Sequence, residues 1–235
     1  NYSGGTEISG GILGNVLVKP ISPITFNAAL PGMDVDVFDQ DGNSIVDAVG
    51  ELVIRQPWVG MTNGFYHEND RYEKTYWNRW KNIWVHGDWV IKDKDGFYTI
   101  TGRSDDTLNV AGKRIGPAEI ESVIVEHEDV LEAGVIGIPH EVKGEVPVAF
   151  VVLNKNHIAK DIILEELTKL TITKLGKALA PVEFYLINDL PKTRNAKVMR
   201  RAIKAAFLHK DGGDFSALEN PQCLEEIKLL KHTVE

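Results

Sequence analysis

The sequence predicts a mixed α+β chain, β-rich over residues 1–104 and α+β over residues 105–235. Three observations carry this. Most of the first hundred residues repeat a strand-then-turn pattern. After Arg103, helix-period segments alternate with short apolar runs. Apolar residues make up 43% of the 235, enough for a folded chain with a sizeable core.

The β-rich part opens with Tyr2-Ser3-Gly4-Gly5-Thr6-Glu7, whose glycines predict a tight turn. Val35-Asp36-Val37-Phe38 reads as a strand closed by the turn Asp41-Gly42-Asn43. Residues 50–55 alternate polar and apolar, and Asp95-Gly96 turns into a strand ending at Ile100. Tyr72, Tyr76, Trp77 and Trp80 recur at helical spacing, which predicts a short helix over 70–80 with its aromatics in a core.

In the second part Gly116-Pro117 opens a helix over 118–127, with Pro117 in the first turn and Ile120, Val123 and Ile124 on one face. Strands are expected at 133–138, 146–153 and 182–187, a helix over 162–175, and a last basic helix from about Ala196 to Leu208. Residues 209–235 read as a packed tail with an acidic helical end.

The net charge of -8 and pI near 5.4 argue against general nucleic-acid binding, which needs a broad basic face to displace counterions. Cys223 is the only cysteine, so no internal disulfide and no cysteine-based zinc site can form, and a cytoplasmic location is expected. No apolar run approaches the roughly 20 residues that span a bilayer, so no membrane partner is expected. The chain opens on Asn1 in glycine-rich sequence, and a longer polypeptide with further sequence upstream is expected.

On this acidic background, Leu190-Pro191-Lys192-Thr193-Arg194-Asn195-Ala196-Lys197-Val198-Met199-Arg200-Arg201 concentrates cationic charge, pointing to one local anion. Lys197 is the leading candidate. Arg194, Arg200 and Arg201 share a helix side with it if the helix has begun, whereas Pro191 and Thr193 favour an extended lead-in that holds Lys197 on a projecting loop. Three further patches stand out. Gly4 and Gly5 would let backbone N–H groups approach a phosphate, while Thr6 and Glu7 could serve a magnesium ion or an acyl-phosphate oxygen. Asp88, after Gly87 at the end of an expected strand, has the chemistry to accept both hydroxyls of a ribose. Arg103 and Arg114 offer forks for phosphate or ribose oxygens, or for surface ion pairs, and Asp105-Asp106 is either a metal-ligand pair or a hinge.

These patches, in this order, resemble the adenylate-forming, AMP-forming acyl-CoA synthetases, most closely their acetyl-CoA synthetase-like members. The most specific stretch is residues 100–121, Ile-Thr-Gly-Arg-Ser-Asp-Asp-Thr-Leu-Asn-Val-Ala-Gly-Lys-Arg-Ile-Gly-Pro-Ala-Glu-Ile-Glu. It is followed by Gly137-Ile138-Pro139-His140, by Pro191 to Arg201, and by the tail Asp214 to Pro221.

The resemblance implies a ligase that activates a carboxylic acid with ATP to acyl-AMP and pyrophosphate and then passes the acyl group to coenzyme A; the alternatives are another adenylating enzyme, an aryl-CoA ligase or peptide-synthetase adenylation domain, and a non-catalytic nucleotide-binding module. It implies the β-rich end of a large N-terminal domain followed by a small mobile C-terminal lid, with Asp105 as the pivot. Tyr2 to Thr6, Asp88, Arg103 and Arg114 would bind nucleotide, Thr6 and Glu7 would meet magnesium and phosphate, and Lys197 would be catalytic. Ala111 and Gly112 would line the coenzyme A tunnel, and some relatives hold a cation at positions matching Val125, His127 and Val130. Gly4, where acetate-specific relatives carry tryptophan, implies room for a longer acid. Ile172 replaces an arginine near the coenzyme A 3′-phosphate, so either Lys169 or Lys174 substitutes or the affinity is weaker. The phosphate loop and adenine segment of the family do not occur here, so the chain is expected to be inactive alone. A lysine acetyltransferase and deacetylase acting on Lys197, and a homo-oligomer, are the remaining partners expected.

Overall fold

The computed structural model describes residues 1–154 and 160–230. The chain forms two compact units, Asn1–Asp105 and Asp106–Glu235, each with its own core.

The first unit contains two antiparallel sheets. Strands β1 (Tyr2–Gly5), β2 (Gly10–Gly14) and β3 (Ala28–Ala29) make a small sheet in that order. Thus the glycine-rich opening is itself a strand, and the turn falls later, where the Ser9 N–H reaches the Gly5 and Thr6 carbonyls. Strands β4 (Val35–Phe38), β5 (Val49–Ile54), β6 (Trp84–Lys92) and β7 (Tyr98–Arg103) form a four-stranded meander. Residues 50–54 are buried without interruption, so the alternation expected there does not mark an open face. Helix α1 (Asn69–Tyr76) is shorter than its aromatics predict. Tyr72 is buried and Tyr76 stacks on Trp84 at 4.0 Å, but Trp77 only caps the helix and Trp80 lies beyond it, edge-on to Phe38. The aromatic spacing therefore marks a core for Tyr72, Tyr76 and Trp77, while Trp80 pairs with Phe38 outside it.

The second unit begins with the hairpin β8 (Leu108–Val110) and β9 (Lys113–Ile115), then α2 (Pro117–Ile124), β10 (Val130–His140), β11 (Gly144–Leu153), α3 (Lys160–Leu175), β12 (Glu183–Leu186), α4 (Arg200–Phe207) and α5 (Cys223–Lys228). The expected order of helices and strands holds, but the hairpin replaces what looked like linker, α2 stops at Ile124, and the basic helix starts at Arg200. The sheet runs β10-β11-β8-β9, with β12 parallel to β11 across the α3 crossover. Alternate residues of β10 and β11 feed two cores. Val135, Ala149 and Val151 pack with α2 and α3, while Ile136, Val148 and Phe150 pack with α4 and α5. Burial on both faces explains why these strands read as continuous apolar runs. Leu218, Leu224 and Ile227 from the tail belong to the second of these cores.

Candidate functional site

In the first unit the site residues collect on β6 and β7. Asp88 lies in mid-strand rather than at a strand end, directly opposite Arg103. The period-2 pleat puts Trp84, His86, Asp88 and Val90 on the inward face, so the carboxylate is buried beside an imidazole and an indole. Arg103 Nη1 donates to Asp88 Oδ1 at 3.2 Å, while its Nε and Nη2 donate to the two Asp105 oxygens at 2.9 and 2.8 Å. One guanidinium thus spans the two acids.

His86 receives the Trp84 indole N–H at Nδ1 (3.5 Å) and turns Nε2 toward Asp88 Oδ2 (3.7 Å). Burial holds this imidazole below its ordinary basicity, against the pull of Asp88. Gly5 backs onto the same ring: a Cβ there would lie 2.9 Å from His86 Cε1. Through His86 the structure therefore joins the glycine strand to the Asp88–Arg103 pair. Glu7 enters by bonding the Tyr76 phenol, whose pKa is pushed up to about 12, first by burial and then by that carboxylate. Gly4 has no room for a side chain, because a Cβ would sit 2.1 Å from the Gly10 carbonyl oxygen where β1 bulges against β2.

Beneath this cluster lies a group that the sequence reading passed over. Glu51 is 1% exposed and accepts from Ser104 Oγ at 2.7 Å and from Arg79 Nη1 at 2.6 Å. Burial raises its pKa despite these donors. Ser104 also donates its N–H to the Gly87 carbonyl at 2.9 Å, so both sides of Arg103 are fixed. A carboxylate directly before the apolar run 52–54, and a histidine two residues before Asp88, were the available signals for Glu51 and His86.

The second unit offers two exposed tips. At the first, Ala111 (φ 50°) and Gly112 (φ 78°) make the two-residue turn between Val110 and Lys113. Positive φ at both positions is the type I′ geometry that matches hairpin twist. A Cβ on Gly112 would meet nothing within 4 Å, so its backbone is open to a ligand, and Lys113 and Arg114 beside it are exposed.

The second tip is the loop 192–198, closed by the Lys192–Val198 bridge and by the Thr193 N–H on the Lys197 carbonyl at 2.9 Å. Lys197 therefore projects from a loop before α4 and is exposed; among the described residues no side chain pairs with its ammonium. Its basic neighbours disperse. Arg200 forks onto Glu121 at 2.8 and 2.6 Å and reaches Asp106 at 3.0 Å, and Arg201 donates to the Gly212 and Asp214 carbonyls. Lys192 sits between Glu132 at 2.5 Å and Asp189 at 3.1 Å. Only Arg194 and Lys197 remain for an anion at this tip, so the charge run is mostly structural.

Asp105 and Asp106 face different partners, Arg103 and Arg200, and do not form a metal pair. Among the described residues no cluster of three or more His, Cys, Asp or Glu side chains could hold a metal. His127 ring nitrogens are engaged by Glu166 Oε2 at 3.1 Å and by the Asp129 N–H at 3.2 Å, with Val125 and Val130 flanking. Ile172 is partly exposed on α3; its neighbours Lys169 and Lys174 pair with Glu165 and Glu126. No helix among the described residues is long and apolar enough to cross a membrane.

Residues 119–197 match the AMP-binding enzyme C-terminal domain. The chain is 40% identical over 227 residues to an acetyl-coenzyme A synthetase of Pyrobaculum arsenaticum, covering 95% of this chain and 34% of that one. It is 41% identical over 230 residues to the acetyl-coenzyme A synthetase of Methanothrix thermoacetophila, covering 96% and 35%. The chain thus spans about a third of the length of these relatives, in their C-terminal part. Among solved structures, acetoacetyl-CoA synthetase from Streptomyces lividans is similar with a TM-score of 0.84 at 27% identity, over 97% of this chain and 35% of that one. A benzoate CoA ligase from Burkholderia xenovorans LB400 is similar with a TM-score of 0.66 at 29% identity, over 84% and 38%.

Proposed function

Because the chain belongs to the AMP-forming acyl-CoA synthetases, as their C-terminal part, we propose that it supplies a carboxylate-CoA ligase with its ribose-binding strand pair and its lid. The reaction has two steps: a carboxylate oxygen attacks the α-phosphorus of ATP and expels pyrophosphate, then the coenzyme A thiol displaces AMP from the acyl-adenylate. The observation that carries this reading is that Lys197 and the Ala111–Gly112 turn are separate exposed tips on one compact unit. Two half-reactions with different charge demands call for two such tips.

In the first step, Asp88 accepts the ribose hydroxyls and Arg103, already fixed by Asp88 and Asp105, adds donors to the same sugar. Tyr2, Ser3, Gly4, Gly5 and Thr6 present strand backbone and hydroxyl groups to the nucleotide. Lys197 neutralises the charge that builds on the α-phosphate and the attacking carboxylate, an interaction realised mainly in the transition state. The oxygens of Glu7 and Thr6 are a hard donor set that fits Mg²⁺, which would offset polyphosphate charge. In the second step the open Gly112 backbone and Ala111 line the pantetheine path, and Arg114 faces the nucleotide phosphate. Asp105 is the pivot between the steps, with residues 1–104 and 105–235 as the two domains. With glycine in place of tryptophan at position 4 no indole shortens the acyl path, so acids longer than acetate are expected, although the space a Gly4 side chain would take is filled by the Gly10 carbonyl. Acetylation of Lys197 by a lysine acetyltransferase would silence adenylation until a deacetylase restores the ammonium.

Pyrophosphate release by the full-length enzyme across a series of carboxylic acids tests the reading, with Lys197→Ala as control. We expect release to need an acid, to extend beyond acetate, and to fall by about 100-fold or more in the variant, the scale of losing one charge-stabilising donor. Thioester formation from supplied acyl-adenylate should survive. A variant that releases pyrophosphate at the normal rate overturns the role of Lys197.

A further inference from the structure

The Lys197 loop is held at its base by the tail. The Lys192 N–H donates to Asn220 Oδ1 at 2.9 Å, and the Lys192 carbonyl accepts the Glu219 N–H at 3.0 Å. Thr193 bridges to Leu218, and Asn220 Nδ2 donates to Asp189 Oδ2 at 2.6 Å and to the Leu190 carbonyl at 2.8 Å. Residues 218–220 therefore lie along the loop as an added edge, and one carboxamide binds both the start of the loop and the residues before it. Asp189, fixed this way, in turn receives the Lys192 ammonium.

This arrangement does more than close a gap in the core. The apolar tail contacts of Leu218, Leu224 and Ile227 already bury the segment against α4 and the sheet. The Asn220 carboxamide adds directional bonds, and those go to residues 189–192, within eight positions of Lys197. Among the described residues the loop itself has its Lys192–Val198 bridge, the Thr193–Lys197 and Ala196–Thr193 hydrogen bonds and, at its base, the Met199 N–H on the Pro191 carbonyl at 2.8 Å to hold its shape. A lysine acting on a phosphoryl group must be placed within a fraction of an ångström, and a loop without an outer brace would spread its tip over many positions.

We infer that Asn220 is a positioning residue for the adenylation step: the tail segment 218–220 braces the loop that presents Lys197. The inference rests on the ligase reading above and goes beyond it, giving the tail a part in one half-reaction only. Structural damage would lower both half-reactions, whereas a misplaced lysine lowers the first alone.

The test uses the full-length enzyme and measures pyrophosphate release and, separately, acyl-CoA formation from supplied acyl-adenylate. Asn220→Ala is expected to lower adenylation about tenfold or more, chiefly in kcat, with the thioester step within about twofold of wild type. Asn220→Asp, which keeps the acceptor for Lys192 but sets a second carboxylate beside Asp189, should show the same split. Asp189→Asn combined with Asn220→Asp restores a donor between the two side chains and should recover part of the loss. Equal loss in both steps, or no loss, overturns the inference. Failure of the ligase reading is distinct, because then wild type releases no acid-dependent pyrophosphate and Lys197→Ala changes nothing.

Discussion

His86 carries a pH dependence whose sign follows from its surroundings. Buried against Trp84 and Asp88, the ring is held neutral, below the ordinary value of 6.5. The unfolded chain takes up a proton near that value, so the stability contribution is full above about 6.5 and is lost as pH falls below it toward the depressed folded value. Denaturant titrations of the full-length enzyme at pH 7.5 and 5.5 should show the midpoint falling with pH, and His86→Gln should flatten the change. A second residue-scale expectation concerns Arg200, whose fork is shared by Glu121 and Asp106 in a mostly buried setting. Arg200→Leu leaves the Glu121 carboxylate with the Val135 N–H but no counter-charge, and a loss of roughly 3 kcal/mol is expected from thermal or chemical melts, the usual cost of breaking a buried pair on one side. A cost below about 1 kcal/mol would mean that the pair is solvated.

At the scale of elements, the β8–β9 hairpin is the part that sequence reading missed, and the reason is physical. Three-residue strands are too short to show a period, and the turn residues Ala111-Gly112 lack the Asn-Gly signature of a type I′ turn. Ala111 holds φ 50° with a Cβ, which costs backbone strain that asparagine bears better. Ala111→Asn should therefore raise stability by about 0.5 kcal/mol, while Gly112→Ala should lower it by roughly 1 kcal/mol although its Cβ meets no neighbour. Melting curves of the two variants check both signs. The longer elements were legible because burial on both faces of β10 and β11 leaves unbroken apolar runs. Helix ends were not, since Trp77 packs in the core from beyond α1 and Trp80 against Phe38 farther on, and Lys197 carries its charge on a loop that precedes α4. At the site, Asp88, Arg103 and Lys197 were readable as chemistry, whereas Glu51 was hidden because a strand alternation looked sufficient to explain it.

Over the whole molecule, three cores, one in the first unit and two sharing the sheet of the second, mean two separable stabilities. Scanning calorimetry should therefore assign the His86 effect to a transition of the first unit and the Arg200 effect to one of the second; a common shift in both would show that the units melt as one. The boundary between them has a further consequence. The carboxylate of Asp105 belongs to Arg103 on one side and that of Asp106 to Arg200 on the other, so the tether joining the units is a single peptide link. A tether this short has almost no chain entropy to gain or lose. In the proposed two-step reaction, reorientation about it would be a search over a couple of torsions rather than through a volume, and those torsions instead of diffusion would set the effective concentration of either tip at a nucleotide. Under the proposed alternation, its speed would be a property of two adjacent aspartates, and lengthening the link by even a few glycines should dilute both tips at once.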